Sequence, residues 1–229
     1  MIIKGLQKTT LLDFPGKVAC TVFTAGCNFR CPFCHNASLV VDPESVDNIS
    51  EEQFFSYISK RKGILDGVCI TGGEPLVSAG IEEFIRKIKS LGFLVKLDTN
   101  GTFPKKLERL LDEGLVDYVA MDVKNSKEKY ALTAGVSSYP EKIEDSIRII
   151  IDKAPDYEFR TTVMKELHST QDIVDIALWI KDTKKYFLQS YVNSGDILSG
   201  EYTAYSEPEM LEILEKAREI LPCTILRGI

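Results

Sequence analysis

Short apolar runs alternate with amphipathic ones along the whole chain. Six runs, at 18–24, 67–71, 93–98, 117–124, 157–163 and 185–191, are rich in Val, Ile, Phe and Tyr and short enough for buried strands. Between them the apolar positions change to helical spacing. Ile81, Phe84, Ile85, Ile88 and Leu91 form one stripe, with Gly92 as its C-terminal cap. Leu107, Leu110 and Leu111 form another, with Pro104 near its start and Gly114 at its end. Ile173, Ile176, Ala177 and Ile180 form a third. Ser50 with Gln53, and Ser206 with Glu209, read as capping boxes opening two further helices.

Six strand-then-helix units predict an α/β fold with a parallel sheet, because parallel neighbours need crossover helices. No linker, repeat or low-complexity tract interrupts the series, so residues 1–229 are expected to form one domain. Residues 1–16 precede the first unit as an N-terminal extension. Both the opening residues and the tail 223–229 are candidates for edge strands. The alternation alone leaves a partial barrel and a doubly wound sheet open. In both, a site forms at the carboxyl ends of the strands.

Composition narrows the partners more than the fold. Hydrophobic residues at 44% and charged residues at 27% of 229 are ordinary for a soluble globular chain. A net charge of −6 argues against a nucleic-acid partner held by backbone electrostatics. No apolar run approaches a bilayer-spanning length, and no charged leader with an apolar stretch opens the chain, so the expected location is cytoplasmic, with no membrane partner.

The residues that carry chemistry fall at strand ends. Gly72-Gly73-Glu74-Pro75 follows the second strand, Asp98-Thr99-Asn100-Gly101 closes the third, and Asp122 and Lys124 close the fourth. Thr162 lies on the fifth; Gln189 and Tyr191 close the sixth. After the first strand come Cys27, Cys31 and Cys34, spaced C-x3-C-x2-C and followed by His35-Asn36. Three thiolates can hold three irons of a cubane cluster, leaving the fourth without a protein ligand, whereas an electron-transfer cluster is closed by four cysteines. Zinc would need a matched second pair, and the chain has only His35, adjacent to Cys34, and His168. A redox reading of Cys31-Pro32-Phe33-Cys34 leaves Cys27 unexplained. Cys20, Cys69 and Cys223 sit in apolar runs and read as small hydrophobes. His168 reads as a surface residue, and Trp179 as a core or helix-face residue.

The cysteine spacing, with aromatic Phe33 before the last cysteine, resembles the signature of the radical S-adenosylmethionine (radical SAM) superfamily. Gly72-Gly73-Glu74 is similar to that family's glycine-glycine-glutamate element. Cys34-His35-Asn36, 98–101 and 122–124 narrow the resemblance to the branch that activates glycyl radical enzymes. The opening 5–10 (GLQKTT) and 13–17 (DFPGK) are similar to its anaerobic ribonucleoside-triphosphate-reductase-activating type. Together these matches cover most of the chain.

The resemblance implies a single-domain partial (β/α)6 barrel with a curved parallel sheet. It implies a [4Fe-4S] cluster on Cys27, Cys31 and Cys34, with S-adenosylmethionine on the open iron. Reductive cleavage of the sulfonium would yield a 5′-deoxyadenosyl radical that takes a hydrogen atom from a glycine of the partner. Phe33 and His35 would line the adenine side with Asn36 close by, and Thr162 would touch the adenine. Gly72, Gly73 and Glu74 would meet the methionine end. Lys124 suits a carboxylate, and Asp98 and Asp122 suit an ammonium or ribose hydroxyls. The implied partners are a glycyl radical enzyme and an electron donor such as flavodoxin or ferredoxin. One departure stands out: some related activators carry a histidine after the tyrosine at the end of the sixth strand, and Val192 stands here, with Gln189 a candidate substitute. Two other classes remain open: a radical SAM enzyme acting on a small molecule, and a non-catalytic iron–sulfur or zinc module.

Overall fold

The computed structural model describes residues 1–137, 140–193, 195 and 197–228. Eight strands form one sheet: β1 (Ile3–Thr10), β2 (Ala19–Thr24), β3 (Gly67–Gly72), β4 (Leu94–Thr99), β5 (Tyr118–Asp122), β6 (Tyr157–Val163), β7 (Tyr186–Ser190) and β8 (Thr224–Arg227). Among the described residues, eight α-helices accompany them: α1 (Ala37–Val41), α2 (Glu51–Ser59), α3 (Ile81–Ser90), α4 (Pro104–Asp112), α5 (Tyr130–Ala134), α6 (Pro140–Lys153), α7 (Thr170–Trp179) and α8 (Glu207–Ile220).

Strand order in space is the order in the chain, β1 to β8. That order excludes the doubly wound alternative, in which the sequence of strands reverses at a switch point. Crossovers that all advance in one direction and share one hand place every helix on the same face. The sheet then curls around its other face. β1 and β8 remain edges, so it is a partial barrel that does not close.

The strand count exceeds the six predicted. β1 adds antiparallel to β2, and α8 returns the tail as β8, parallel to β7. Seven strands, β2 to β8, are therefore parallel. Ile229 lies outside the described residues. Both predicted capping boxes are present, at Ser50/Gln53 and Ser206/Glu209. A third, Ser169/Asp172, opens α7. Helices α1 and α5, five residues each, are too short to show a period. Helix α6 does show one, at Ile143, Ile147 and Ile150, which the strand-by-strand pattern above passes over. Among the described residues, no helix is long and apolar enough to cross a membrane.

The main core lies between the helices and the convex face of the sheet. It includes Val22, Ile70, Val95, Leu97, Val119, Met121, Phe159 and Leu188 from the strands, and Phe84, Ile85, Leu107, Ile147 and Ile176 from the helices. A separate small cluster of Phe14, Ala19, Tyr118 and Ala120 sits on the concave face, toward the amino ends of the strands. It brings the turn between β1 and β2 across the barrel floor. Above it, toward the carboxyl ends, the concave face is polar.

Candidate cofactor site

The cysteine loop leaves β2 and is clamped from several sides. Gly26 N–H donates to Leu39 O (3.0 Å), and Arg30 N–H donates to Ala134 O at the end of α5 (2.9 Å). A Cβ on Gly135 would stand 2.0 Å from Arg30 O, so only glycine permits that approach. Beyond α5, Pro32 O accepts from Ser199 N (3.0 Å), and Phe33 packs edge-on to Tyr202 (6.2 Å). Below the loop, Phe29 is buried edge-on to Tyr130 (6.3 Å).

The second glycine element lies against the root of this loop. Gly73 N–H donates to Thr24 O (3.0 Å), and Glu74 N–H to Gly26 O (2.9 Å). A Cβ on Gly73 would be 1.9 Å from Gly26 O; one on Gly72, at φ 113°, would be 2.5 Å from Thr24 N and O. The glycines are thus demanded by chain-to-chain packing. Asn36 completes the join, its Nδ2 donating to Gly72 O (2.8 Å).

One cavity of about 270 Å³ collects the predicted residues. Cys27, Cys31, Cys34, Phe33, His35, Asn36, Gly72, Gly73, Asp98, Asp122, Lys124 and Thr162 all line it. Glu74 does not. Its buried carboxylate accepts from Leu76 N (3.0 Å), Thr99 Oγ1 (2.9 Å) and Asn100 N (2.6 Å), tying the ends of β3 and β4 together. Burial pushes its pKa up to about 7 despite those hydrogen bonds. Tyr191 stands behind the wall, its ring 5.7 Å from that of His35. Gln189, the candidate substitute for the missing histidine, does line the cavity.

Opposite the thiols runs a chain of charges. Lys124 Nζ donates to Asp122 (2.9 Å), Arg160 Nε to Asp122 (2.8 Å), and Arg160 Nη1 to Asp98 (3.3 Å). Lys96 also pairs with Asp98. Burial alone would raise the Asp122 carboxyl; Arg160 and Lys124 more than offset it and hold it well below the carboxylate range. Lys96 and Arg160 do the same for Asp98. The pairing raises Lys124 against its own burial.

Arg160 is the charged residue of the cavity wall that the sequence pattern did not single out; Phe29, Val40 and Thr71 also line it unannounced. Arg160 lies two positions before Thr162 on β6 and so on the same face. A charged residue inside an apolar strand run was the available signal. Cys69 also departs from the sequence reading: its Sγ is 3.8 Å from both Lys96 Nζ and Asp98 Oδ1, within the polar interior. Cys20 is apolar core as expected, and Cys223 is half-buried. His168 is a correction too. It is buried, and its ring meets Lys124 O.

The three thiols fit a cluster. All are free and face one space. Among the described residues, no three His, Cys, Asp or Glu groups gather closely enough for a single ion. Three free thiols lining one cavity suit a cluster that takes one cysteine on each of three irons. Burial pushes Cys31 up to about 12, with Lys124 opposing, and also raises Cys27; ligation would take those protons off. Phe29 N–H already donates to Cys27 Sγ (3.3 Å). The sequence profile of the radical SAM superfamily matches residues 21–180.

The chain belongs to the radical SAM superfamily. Radical SAM proteins use a [4Fe-4S] cluster and S-adenosylmethionine. The chain is 32% identical over 236 residues to a Methanocaldococcus jannaschii protein provisionally named a glycyl-radical enzyme activating enzyme, covering 100% of this chain and 96% of that one. Among solved structures, Streptococcus suis SuiB bound to S-adenosylmethionine superposes with a TM-score of 0.67 at 14% identity, over 90% of this chain and 49% of its own. A domain of a Bacteroides vulgatus pyruvate-formate lyase-activating enzyme gives 0.55 at 16%, over 71% and 99%. At those identities the structures speak to the radical SAM fold alone.

Proposed function

We propose that this radical SAM enzyme activates a glycyl radical enzyme, and that its partner is an anaerobic ribonucleoside-triphosphate reductase. The observation that carries the reading is the meeting, in one cavity, of three free thiols and the Asp98–Arg160–Asp122–Lys124 charge chain. The full-length likeness to a relative with the corresponding provisional name supports the protein substrate.

Cys27, Cys31 and Cys34 would hold the cluster. Lys124 would take the carboxylate of S-adenosylmethionine, and the Gly72–Gly73 backbone would lie along its methionine end. Asp98 and Asp122 would face its ammonium or ribose hydroxyls, with Arg160 holding both aspartates ionised and in place. Phe33, His35, Asn36 and Thr162 would enclose the adenine. When bound, the reduced cluster and S-adenosylmethionine supply one-electron cleavage of the sulfonium and the hydrogen-atom abstraction that follows. The chain's part is to orient the cofactor and exclude water; no side chain is needed as a general base. The sheet does not close between β1 and β8, and that open side would be where a peptide loop of the partner enters. The electron would come from a flavodoxin or ferredoxin.

The test mixes anaerobically reconstituted protein, dithionite and S-adenosylmethionine with the reductase and records its electron paramagnetic resonance spectrum. A glycine-centred doublet is expected. No such signal with any glycyl radical protein, alongside turnover of a metabolite, would move the chain to the small-molecule class. Zinc without iron and sulfide after anaerobic purification would sink the cluster assignment as well.

A further inference from the structure

His168 lies between β6 and α7 and is 1% exposed. Its Nε2 is 2.8 Å from the carbonyl oxygen of Lys124. A carbonyl oxygen can only accept, so Nε2 carries the proton and Nδ1 is bare. That Nδ1 is buried with no hydrogen-bond partner among the described residues. The histidine backbone is itself fixed: His168 N–H donates to Met164 O (3.0 Å), and His168 O accepts from the Tyr205 hydroxyl (2.6 Å). The imidazole is therefore presented by a rigid frame to one backbone oxygen.

That oxygen belongs to a residue the sheet does not hold. β5 ends at Asp122, and Lys124 sits in the irregular chain beyond it. Its neighbours are anchored. Val123 N–H donates to Arg160 O (2.9 Å), and Val123 O accepts from Thr161 Oγ1 (2.7 Å). The Asn125 side chain donates to Thr133 Oγ1 (2.8 Å) and Leu167 O (2.9 Å). Between those anchors, His168 takes the peptide oxygen of Lys124 itself. The Lys124 ammonium reaches the cavity and pairs with Asp122 (2.9 Å). Turning the 124 peptide would swing that ammonium out of register with Asp122.

We propose that His168 is a positioning residue of the cofactor site: its Nε2–H bond to the Lys124 carbonyl sets the lysine side chain against Asp122 and the carboxylate of S-adenosylmethionine. Simple space-filling does not account for a histidine here. An apolar side chain would fill the volume without leaving a buried ring nitrogen unpartnered. The proposal rests on the assignment of this cavity to S-adenosylmethionine. It is independent of which protein receives the radical.

The test is calorimetric titration of S-adenosylmethionine into the full-length, anaerobically reconstituted protein, with iron content and thermal midpoint recorded alongside. His168→Leu fills the space and donates nothing; His168→Gln places an amide N–H near the Nε2 position. His168→Leu is expected to bind the cofactor about tenfold more weakly, as loss of an orienting partner behind a ligand commonly does, with iron content unchanged. His168→Gln is expected to bind close to wild type. Wild-type affinity in His168→Leu overturns the proposal. So does a glutamine variant as weak as the leucine one at equal thermal midpoint. Should the leucine variant fail to fold, His168→Gln is set against His168→Asn, whose shorter side chain cannot reach; equal affinities then overturn it. Lys124→Ala separates the two levels. Unchanged affinity in that variant sinks the cavity assignment, whereas weakened binding there beside a normal His168→Leu sinks only the role of His168.

Discussion

The two faces of the sheet are built from the same strands and could hardly differ more. In β4, Val95 and Leu97 join the apolar layer under the helices, while Lys96 and Asp98 pair with each other on the concave side. In β6, Tyr157, Phe159 and Val163 enter that layer, while Glu158, Arg160 and Thr162 face inward. Glu158 bonds Arg227 (3.0 and 3.1 Å) and the Tyr118 hydroxyl (2.9 Å). The convex layer gains from burying hydrocarbon. The concave layer has buried ions that are tolerable only because each is paired. Nearly all the folding drive thus belongs to one face, and the chemistry to the other.

Variants on each face should separate stability from cofactor handling. The largest effect is expected at the thiols. Cys31→Ala should reduce 5′-deoxyadenosine formation to background, read by chromatography after anaerobic incubation with dithionite, while Cys20→Ala, on the convex side, should leave it near wild type. Next is Arg160→Met. It takes one cation from Asp98, Asp122 and Glu158 at once and leaves each with its other partner, Lys96, Lys124 or Arg227, so the cost should approach the about 3–5 kcal/mol of an uncompensated buried charge without exceeding it. Urea unfolding should show that loss, and affinity for S-adenosylmethionine should fall with it. Leu97→Ala should cost about 2–4 kcal/mol by leaving a cavity, yet keep cofactor affinity. Equal losses of affinity in both variants would refute the division between faces.

This division explains what could be read in the sequence. Strand positions were legible because the convex residues recur in short apolar runs between helical stripes, and the cysteines because their spacing is local. Asp98, Asp122 and Lys124 stood out at strand ends. Arg160 did not, because charges at Glu158 and Arg160 inside Tyr157–Val163 look like noise until the strand curls and its inward face becomes a cavity wall. Cys69 and His168 failed for a similar reason: their neighbours in space, Lys96 and Asp98 for one and Lys124 for the other, lie 27 to 44 positions away along the chain. The glycine pair was legible as a motif, but its physical cause was not. Only the fold brings Gly26 O to where a Gly73 Cβ would be.

The smallest expected effect is a pH slope that the two kinds of buried carboxylate set with opposite sign. Glu74 has its folded pKa raised to about 7 from an ordinary 4.5. Between those values the folded protein holds a proton that the unfolded chain has released, so Glu74 makes stability fall as pH rises through that window. Asp98 and Asp122 have folded values below their ordinary 3.8. Their contribution is present above that value and is lost as pH falls below it. Each group contributes at most about 1.4 kcal/mol per pH unit. On the cluster-free protein, which removes iron loss from the measurement, the thermal midpoint should therefore rise from pH 7 toward pH 5 and drop below pH 4. In Glu74→Gln the rise from pH 7 to 5 should shrink while the acid drop stays. A rise of unchanged size in that variant would show that Glu74 is ionised at neutral pH, held so by its three donors in spite of its burial.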